Sequence, residues 1–339
     1  MKWDKIKMKR DNGEVVDAQA PVIISASRST DIPAFYADWF FERLNKGYVA
    51  WKNPFNGVYS YVCFKNTRLI VFWSKNPKPL LSYLDELKDK NINCYIQFTL
   101  NDYVQEQLEI NVPSVEERID TFKKLVDKLG KGKVIWRFDP LILTKTIDVN
   151  ELLRRIKRIG DELKGYTEKL VFSYADISIY KKVKKNLENN LISYREFTQE
   201  DMISFAEGLY ELNKEWNFEI ATCSEKIPLE KYNIQHNKCI DDDLMIKYFS
   251  HDKALMDFLK IKIIPADMFN LNERIEKRQD NKDKGQREFC GCVISKDIGE
   301  YNTCPHLCEY CYANSSKGIA IENWKQHKNN SNNELIKGR

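Results

Sequence analysis

Three cysteines, Cys304, Cys308 and Cys311, fall within the stretch "TCPHLCEYC" near the end of a chain that has nine cysteines in 339 residues. Thiolates are soft ligands, and three of them on one short loop suit a soft metal. Their order is C-x3-C-x2-C, with an aromatic residue, Tyr310, directly before the third. Structural zinc is normally closed by two short cysteine knuckles or by added histidines. Ferredoxin-type 4Fe-4S clusters are normally closed by a fourth cysteine. The triplet alone supplies neither, but it suits three irons of a 4Fe-4S cluster with the fourth iron left open.

Four more cysteines form a second candidate set. Cys290 and Cys292 flank Gly291, Cys223 ends an apolar run in "ATCSE", and Cys239 lies in "NKCIDDD". Four thiolates from three loops would close around zinc or a second iron–sulfur cluster if the fold gathers those loops at one end. In the competing reading, Cys223 and Cys239 are small buried apolar residues. Cys63 and Cys94 sit inside apolar runs and read as core. The four histidines, His236, His251, His306 and His327, are too scattered for a histidine-built hydrolase site.

The remaining bulk features narrow the setting. The N-terminus is charged from the start and has no apolar h-region, so no signal peptide is expected. No apolar run reaches bilayer length. A cytoplasmic protein with no membrane partner is the expectation, and in that reducing compartment the cysteines serve as ligands or free thiols rather than disulfides. The balance of 54 basic against 50 acidic residues, net +4, points only weakly toward nucleic acid.

The elements that would position these cysteines alternate along the chain. Apolar runs "PVIISAS", "RLIVFW", "CYIQFTL", "KVIWRF", "KLVFSY", "FEIATC" and "CVIS" read as strands covered on both faces, with "YSYVCF" (59–64) a candidate eighth. Helices between them carry start signals. Ser114 with Glu117, Asp148 with Glu151, and Thr198 with Asp201 each precede an apolar stripe of helical period. This rhythm predicts an α/β fold, a full or partial (β/α) TIM-like barrel over residues 21–325, with a cysteine loop at 290–311. Residues 1–20 read as an N-terminal extension and 326–339 as a polar tail. Residues 181–197 and 272–289 read as polar, solvated insertions. No Gly-x-Gly-x-x-Gly or Gly-Lys-Ser/Thr loop appears, which argues against nucleotide-binding open sheets. Polar residues follow the apolar runs, as in "SASRSTDIP", "WSKNP", "FTLND", "WRFDP" and "FSYADIS". At the C-terminal mouth of a barrel these would line an active site. Arg137 and Asp139 are the candidate catalytic pair, equally readable as a structural ion pair, with Gln97, Thr99, Asn101, Asp176 and Glu225 beside them.

The motif C-x3-C-x-aromatic-C resembles the signature of radical S-adenosylmethionine (radical SAM) enzymes. Its local form "CPHLCEYCYA" is similar to the cysteine loop of spore photoproduct lyase, and "WRFDPLIL" is similar to a strand there. The resemblance implies a 4Fe-4S cluster on Cys304, Cys308 and Cys311. It further implies SAM chelating the open iron, Tyr310 near the adenine, and a one-electron donor such as flavodoxin or ferredoxin. The implied activity is reductive cleavage of SAM to a 5′-deoxyadenosyl radical acting on an unidentified substrate, with nucleic acid a candidate. Such loops normally follow the first barrel strand, so its place here implies a circularly permuted radical SAM barrel in which "CVIS" is the family's first strand. The usual glycine-rich segment is replaced by "SASRSTDIP", so Ser25, Ser27 and Arg28 become the candidate SAM contacts. The whole arrangement resembles a bacterial family known as domain of unknown function 1848. The alternative is a non-catalytic zinc- or iron–sulfur-binding barrel protein.

Overall fold

In the computed structural model, which describes residues 3–264, 274–277, 279 and 281–338, eight strands form one parallel sheet. They are β1 (Ile23–Ala26), β2 (Leu69–Ser74), β3 (Asn93–Thr99), β4 (Val134–Leu141), β5 (Lys169–Tyr174), β6 (Glu219–Thr222), β7 (Ile234–His236) and β8 (Lys296–Asp297). The spatial order is β7-β6-β5-β4-β3-β2-β1-β8. Every neighbouring pair but one is therefore consecutive in the chain, as parallel strands joined by crossovers require. The exception is β8, which pairs with β1 through Lys296 opposite Ile24 and Asp297 opposite Ser25. Strands β7 and β8 are the two sheet edges and do not pair with each other among the described residues, so strand pairing does not close a barrel.

Helices cover both faces, and the period of two along each strand decides what each face buries. Ile24, Ile70, Ile96, Trp136 and Phe172 face a large core with helices α1 (Val115–Leu129), α2 (Val149–Leu163) and α3 (Gln199–Trp216). Both α1 and α3 open on reciprocal capping boxes, Ser114 with Glu117 and Thr198 with Asp201. At α2 only the forward half forms, the Asp148 carboxylate accepting from the Glu151 N–H. On the other face Ile23, Val71, Tyr95, Ile135 and Val171 pack against α4 (Asp242–Phe249) and α5 (Lys253–Phe258). Those two helices cover only the beginning of that face. Further along the same strands it carries Ser27, Trp73, Thr99, Arg137, Asp139 and Ser173, all of which line a cavity.

Several sequence expectations are corrected. "CVIS" is not a strand of the sheet. Val293 instead bridges antiparallel to Lys282 and donates its N–H to the Ile240 carbonyl at 3.0 Å, and the parallel pairing begins four residues after Cys292, at Lys296. The run "YSYVCF" pairs with Tyr48–Lys52 and Val15–Gln19 in a separate four-stranded sheet, which Lys5–Lys9 completes. The first twenty residues thus contribute a hairpin. The C-terminal stretch packs against it: Glu334 pairs with Arg10 at 2.7 Å, and Leu335 and Ile336 are buried. The stretch 181–197 contains a helix, Lys181–Asn189, with Val183 and Leu187 buried, and a short strand, Tyr194–Arg195, antiparallel to Leu143–Thr144. Of the polar stretch 272–289, residues 272, 273, 278 and 280 lie outside the described residues. Arg274–Lys277 forms a strand antiparallel to Ile261–Ile264.

Candidate functional site

A cavity of about 590 Å3 opens at the C-terminal ends of β1 to β6, and seven cysteines line it: Cys223, Cys239, Cys290, Cys292, Cys304, Cys308 and Cys311. Both cysteine sets read from the sequence therefore converge on one space, within the size range of small-molecule and cofactor sites. Cys63 and Cys94 are buried elsewhere, as expected of core residues.

The triplet loop leaves β8 and is fastened to the segment that follows β1. The Thr30 and Thr303 hydroxyls are 2.6 Å apart, Thr30 Oγ1 donates to the Glu300 carbonyl at 2.8 Å, and the Tyr36 hydroxyl donates to the Thr303 carbonyl at 2.5 Å. His306, inside the motif, has Nε2 at 2.8 Å from the Asp31 carboxylate and Nδ1 at 3.1 Å from the Asn111 carbonyl. Both partners are acceptors, so both are satisfied only when the ring donates from each nitrogen. Asp31 also accepts from Ser74 Oγ at 2.6 Å and from the Lys75 N–H at 2.7 Å. Burial opposes ionisation of Asp31, but the His306 bond and charge hold its carboxyl below the usual range.

Tyr310 is held by its hydroxyl. Lys75 Nζ reaches it at 2.8 Å and Asn101 Nδ2 at 3.0 Å, while the hydroxyl itself donates to Glu109. Lys75 also pairs with Glu109 at 2.7 Å, and Arg118 lies 3.6 Å from the second Glu109 oxygen. Burial would raise Glu109, yet these two cations hold it at about 2. A fully ionic knot is thus buried directly behind the aromatic residue of the motif. Sequence reading missed Lys75 and Glu109. Lys75 stands in the quoted mouth segment "WSKNP", whereas nothing in the pattern around Glu109 marks it.

The triplet thiols are open to something larger than one ion. A tetrahedral zinc site with bonds of about 2.3 Å needs sulfurs about 3.8 Å apart. Among the described residues, the group of three or more candidate ligand atoms lying within 4.8 Å of one another is Asp241, Asp242 and Asp243. Those carboxylates are already engaged, Asp241 in capping α4 and Asp242 with Lys238 and Lys277. The triplet sulfurs remain close enough to feel one another's charge. Burial pushes the Cys304 thiol up to about 12 and Cys308 well above its ordinary value. A metal must supply the positive charge that makes them ligands.

The candidate catalytic pair is ion-paired, with Arg137 buried and Asp139 half-buried. Arg137 and Asp139 are in direct contact, Arg137 also donates to Gln97 Oε1 at 3.2 Å, and Ser173 donates to Asp139. Both line the cavity, with Thr99, Asp176 and Glu225, whereas Gln97 and Asn101 stand behind it as supports. Burial pushes Glu225 up to about 7, with Asp176 and Asp139 adding to the rise and the Tyr174 N–H opposing it. Of the three residues expected at SAM, Ser27 and Arg28 line the cavity and Ser25 does not. The Ser25 hydroxyl donates to Asp297 at 2.9 Å and ties β1 to β8. Ser27 Oγ accepts the N–H groups of Ser29 and Thr30 at 3.1 and 3.2 Å. Arg28 lies over the Trp73 ring, 5.3 Å from its centroid, and its Nη2 is buried without a partner. Arg137 lies over the same ring at 5.3 Å, so Trp73 is shared by two guanidinium groups.

The family described as Domain of unknown function (DUF1848) matches residues 23–313, and the chain belongs to it. That span begins at β1 and ends just past the third cysteine of the triplet. No curated protein matches the chain, and no solved structure matches it. No helix among the described residues is long and apolar enough to cross a membrane.

Proposed function

We propose that the chain is a radical SAM-type iron–sulfur enzyme built on a partial, circularly permuted (β/α) barrel. The observation that carries this reading is the pairing of β8 with β1. It makes the last sheet strand in the chain the neighbour of the first, so the cysteine loop emerges at the C-terminal mouth where a first barrel loop belongs. Active sites of parallel barrels gather at that mouth.

The residues present fit the groups this chemistry needs. Cys304, Cys308 and Cys311 would hold three irons of a 4Fe-4S cluster. The His306 nitrogens are both engaged, so the motif histidine does not close the fourth position. Arg28, with a buried unpartnered N–H, is suited to the carboxylate of SAM, and Ser27 and Ser29 add polar atoms on the same wall. When bound and reduced by a one-electron donor such as a flavodoxin or ferredoxin, the cluster supplies reductive cleavage of SAM to a 5′-deoxyadenosyl radical. This chain's own residues bind, orient and shield. The Lys75–Glu109–Asn101 knot fixes Tyr310, and the His306–Asp31 pair fixes the motif loop. The rings of Trp73, Tyr301 and Tyr312 on the cavity wall suit an aromatic substrate, with nucleic acid one candidate class.

Electron paramagnetic resonance on anaerobically reconstituted, reduced protein tests the reading. Addition of SAM should change the cluster spectrum, and Cys308→Ala should lose the SAM-responsive signal together with the iron and sulfide that the triplet holds. A cluster whose spectrum SAM leaves unchanged overturns the proposal. Zinc in the triplet in place of iron favours a non-catalytic metal protein instead.

A further inference from the structure

The second cysteine set lies where the sheet stops. Cys223 follows β6, Cys239 follows edge strand β7, and Cys290 and Cys292 precede edge strand β8. Two backbone bonds span the gap between these edges. The Gly291 N–H donates to the Asn237 carbonyl at 3.4 Å, and the Val293 N–H donates to the Ile240 carbonyl at 3.0 Å. The four thiols run along this gap as neighbours. Cys223 and Cys239 sulfurs are 3.7 Å apart, and Cys292 Sγ sits beside Cys239, whose N–H donates to it at 3.3 Å. All four are free thiols lining the cavity.

Cys239, Cys290 and Cys292 adjoin the apolar cluster that includes Ile240, Met245 and Val293, with Cys223 packed against it, yet two of the sulfurs also face polar donors. Cys239 Sγ accepts from Arg137 Nη1 at 3.2 Å and from Asn237 Nδ2 at 3.0 Å. Cys292 Sγ accepts two backbone N–H groups, those of Cys239 and Ile240, both at 3.3 Å. A thiol is a weak acceptor, so donors aimed at two buried sulfurs stabilise the thiolate more than the thiol. Conserving such donors around ligand sulfurs is how outer-shell groups tune a metal. The charges also balance. Four thiolates around a divalent ion leave a net charge of about −2, and the guanidinium groups of Arg137 and Arg28 face this set, Arg28 being coupled to Cys292 and Cys239.

We propose that Cys223, Cys239, Cys290 and Cys292 form a tetrathiolate site for a soft metal that fastens the two sheet edges together on the cavity wall. The Cys223–Cys239 separation is close to the sulfur spacing of about 3.8 Å around one zinc ion, but no three of the four sulfurs lie within 4.8 Å of one another. A single ion therefore requires the loop carrying Cys290 and Cys292 to draw inward, whereas an iron–sulfur cluster spans a wider set of thiolates. The loop carrying Cys290 and Cys292 completes the site. An iron–sulfur cluster has the same thiolate requirement and differs in iron and sulfide content. The site does not depend on the reading of the triplet.

The test uses the full chain with Cys304→Ala, Cys308→Ala and Cys311→Ala combined, which empties the triplet. After anaerobic purification, elemental analysis should find about one zinc per chain, or iron with matching acid-labile sulfide. Adding Cys239→Ser should abolish that metal, with circular dichroism reporting whether the fold persists. If that variant does not fold, cobalt(II) titration of the metal-stripped triple variant serves in its place, with thiolate-to-cobalt charge-transfer absorption expected. A triple variant that retains no metal and shows no such absorption overturns the proposal, as does equal metal content after Cys239→Ser. Loss of SAM chemistry in wild type with this metal still present would count against the triplet reading alone.

Discussion

Lys296 shows how one buried cation sets a pH response. Its ammonium sits 3.2 Å from the centre of the Trp51 ring, and burial lowers it to about 8, with Asp297 opposing. Below pH 8 both folded and unfolded chains carry the proton, and the folded chain bears the whole desolvation cost. Between pH 8 and the ordinary lysine value of about 10.4 the unfolded chain binds more protons, so stability rises with pH. Lys296→Met should therefore stabilise the fold at pH 7 by about 1–2 kcal/mol, seen as a higher melting temperature, after the lost ring contact is set against the removed desolvation. That gain should shrink toward pH 10 in a calorimetric series, and a constant gain would refute the argument. Glu109→Gln should act oppositely. It strands Lys75 and Arg118 in the core at a cost of about 3–5 kcal/mol, measurable by denaturant unfolding. At this scale the sequence was informative where the period of two was visible. Thr99, Arg137, Asp139 and Cys223 all fall on the cavity-facing register of their strands. Ser25 shares that parity but is taken by Asp297, a partner 272 residues away that no local pattern announces.

Elements were legible in proportion to their length and their caps. Helices α1 and α3 begin at the residues their capping boxes dictate, and Gly130, with φ of 93°, ends α1 as expected. Short elements were not legible. Strand β7 is three residues long with Gln235 and His236 exposed, so it lacks the apolar run that marks its neighbours. "CVIS" has such a run because it is buried, but it spends its backbone on the gap between sheet edges. Its successor β8, with a lysine and an aspartate, looks like a loop. The connection from β8 to the triplet is tight at Gly299, where a methyl group would lie 1.8 Å from Ser27 Oγ and 2.7 Å from Ser27 Cβ. Gly299→Ala should push the β1 loop away from the cavity. Equilibrium binding should show SAM affinity falling by about tenfold or more, roughly 1.4 kcal/mol, with iron content unchanged. Unaltered SAM affinity would remove the β1 loop from the proposed cofactor wall.

At the scale of the whole molecule, the chain ends meet the beginning twice. Glu334 pairs with Arg10 of the N-terminal hairpin and β8 pads the β1 edge. Sequence reading expects a strand ahead of the cysteine motif to lie beside β1, but places it at "CVIS" rather than at Lys296–Asp297. The open gap between β7 and β8 was not legible, because it depends on which edges fail to pair. Metal bound across that gap should stabilise the fold by mass action. Chelator should therefore lower the melting temperature of the triplet-less variant, and zinc or reconstituted iron should restore it. The central claim concerns the triplet and is tested most directly by product analysis. Anaerobically reconstituted protein is incubated with dithionite and SAM, and 5′-deoxyadenosine is measured by mass spectrometry in wild type and Cys308→Ala. The account predicts 5′-deoxyadenosine from wild type and none from the variant. Wild type that holds a reducible cluster yet forms no 5′-deoxyadenosine would contradict it.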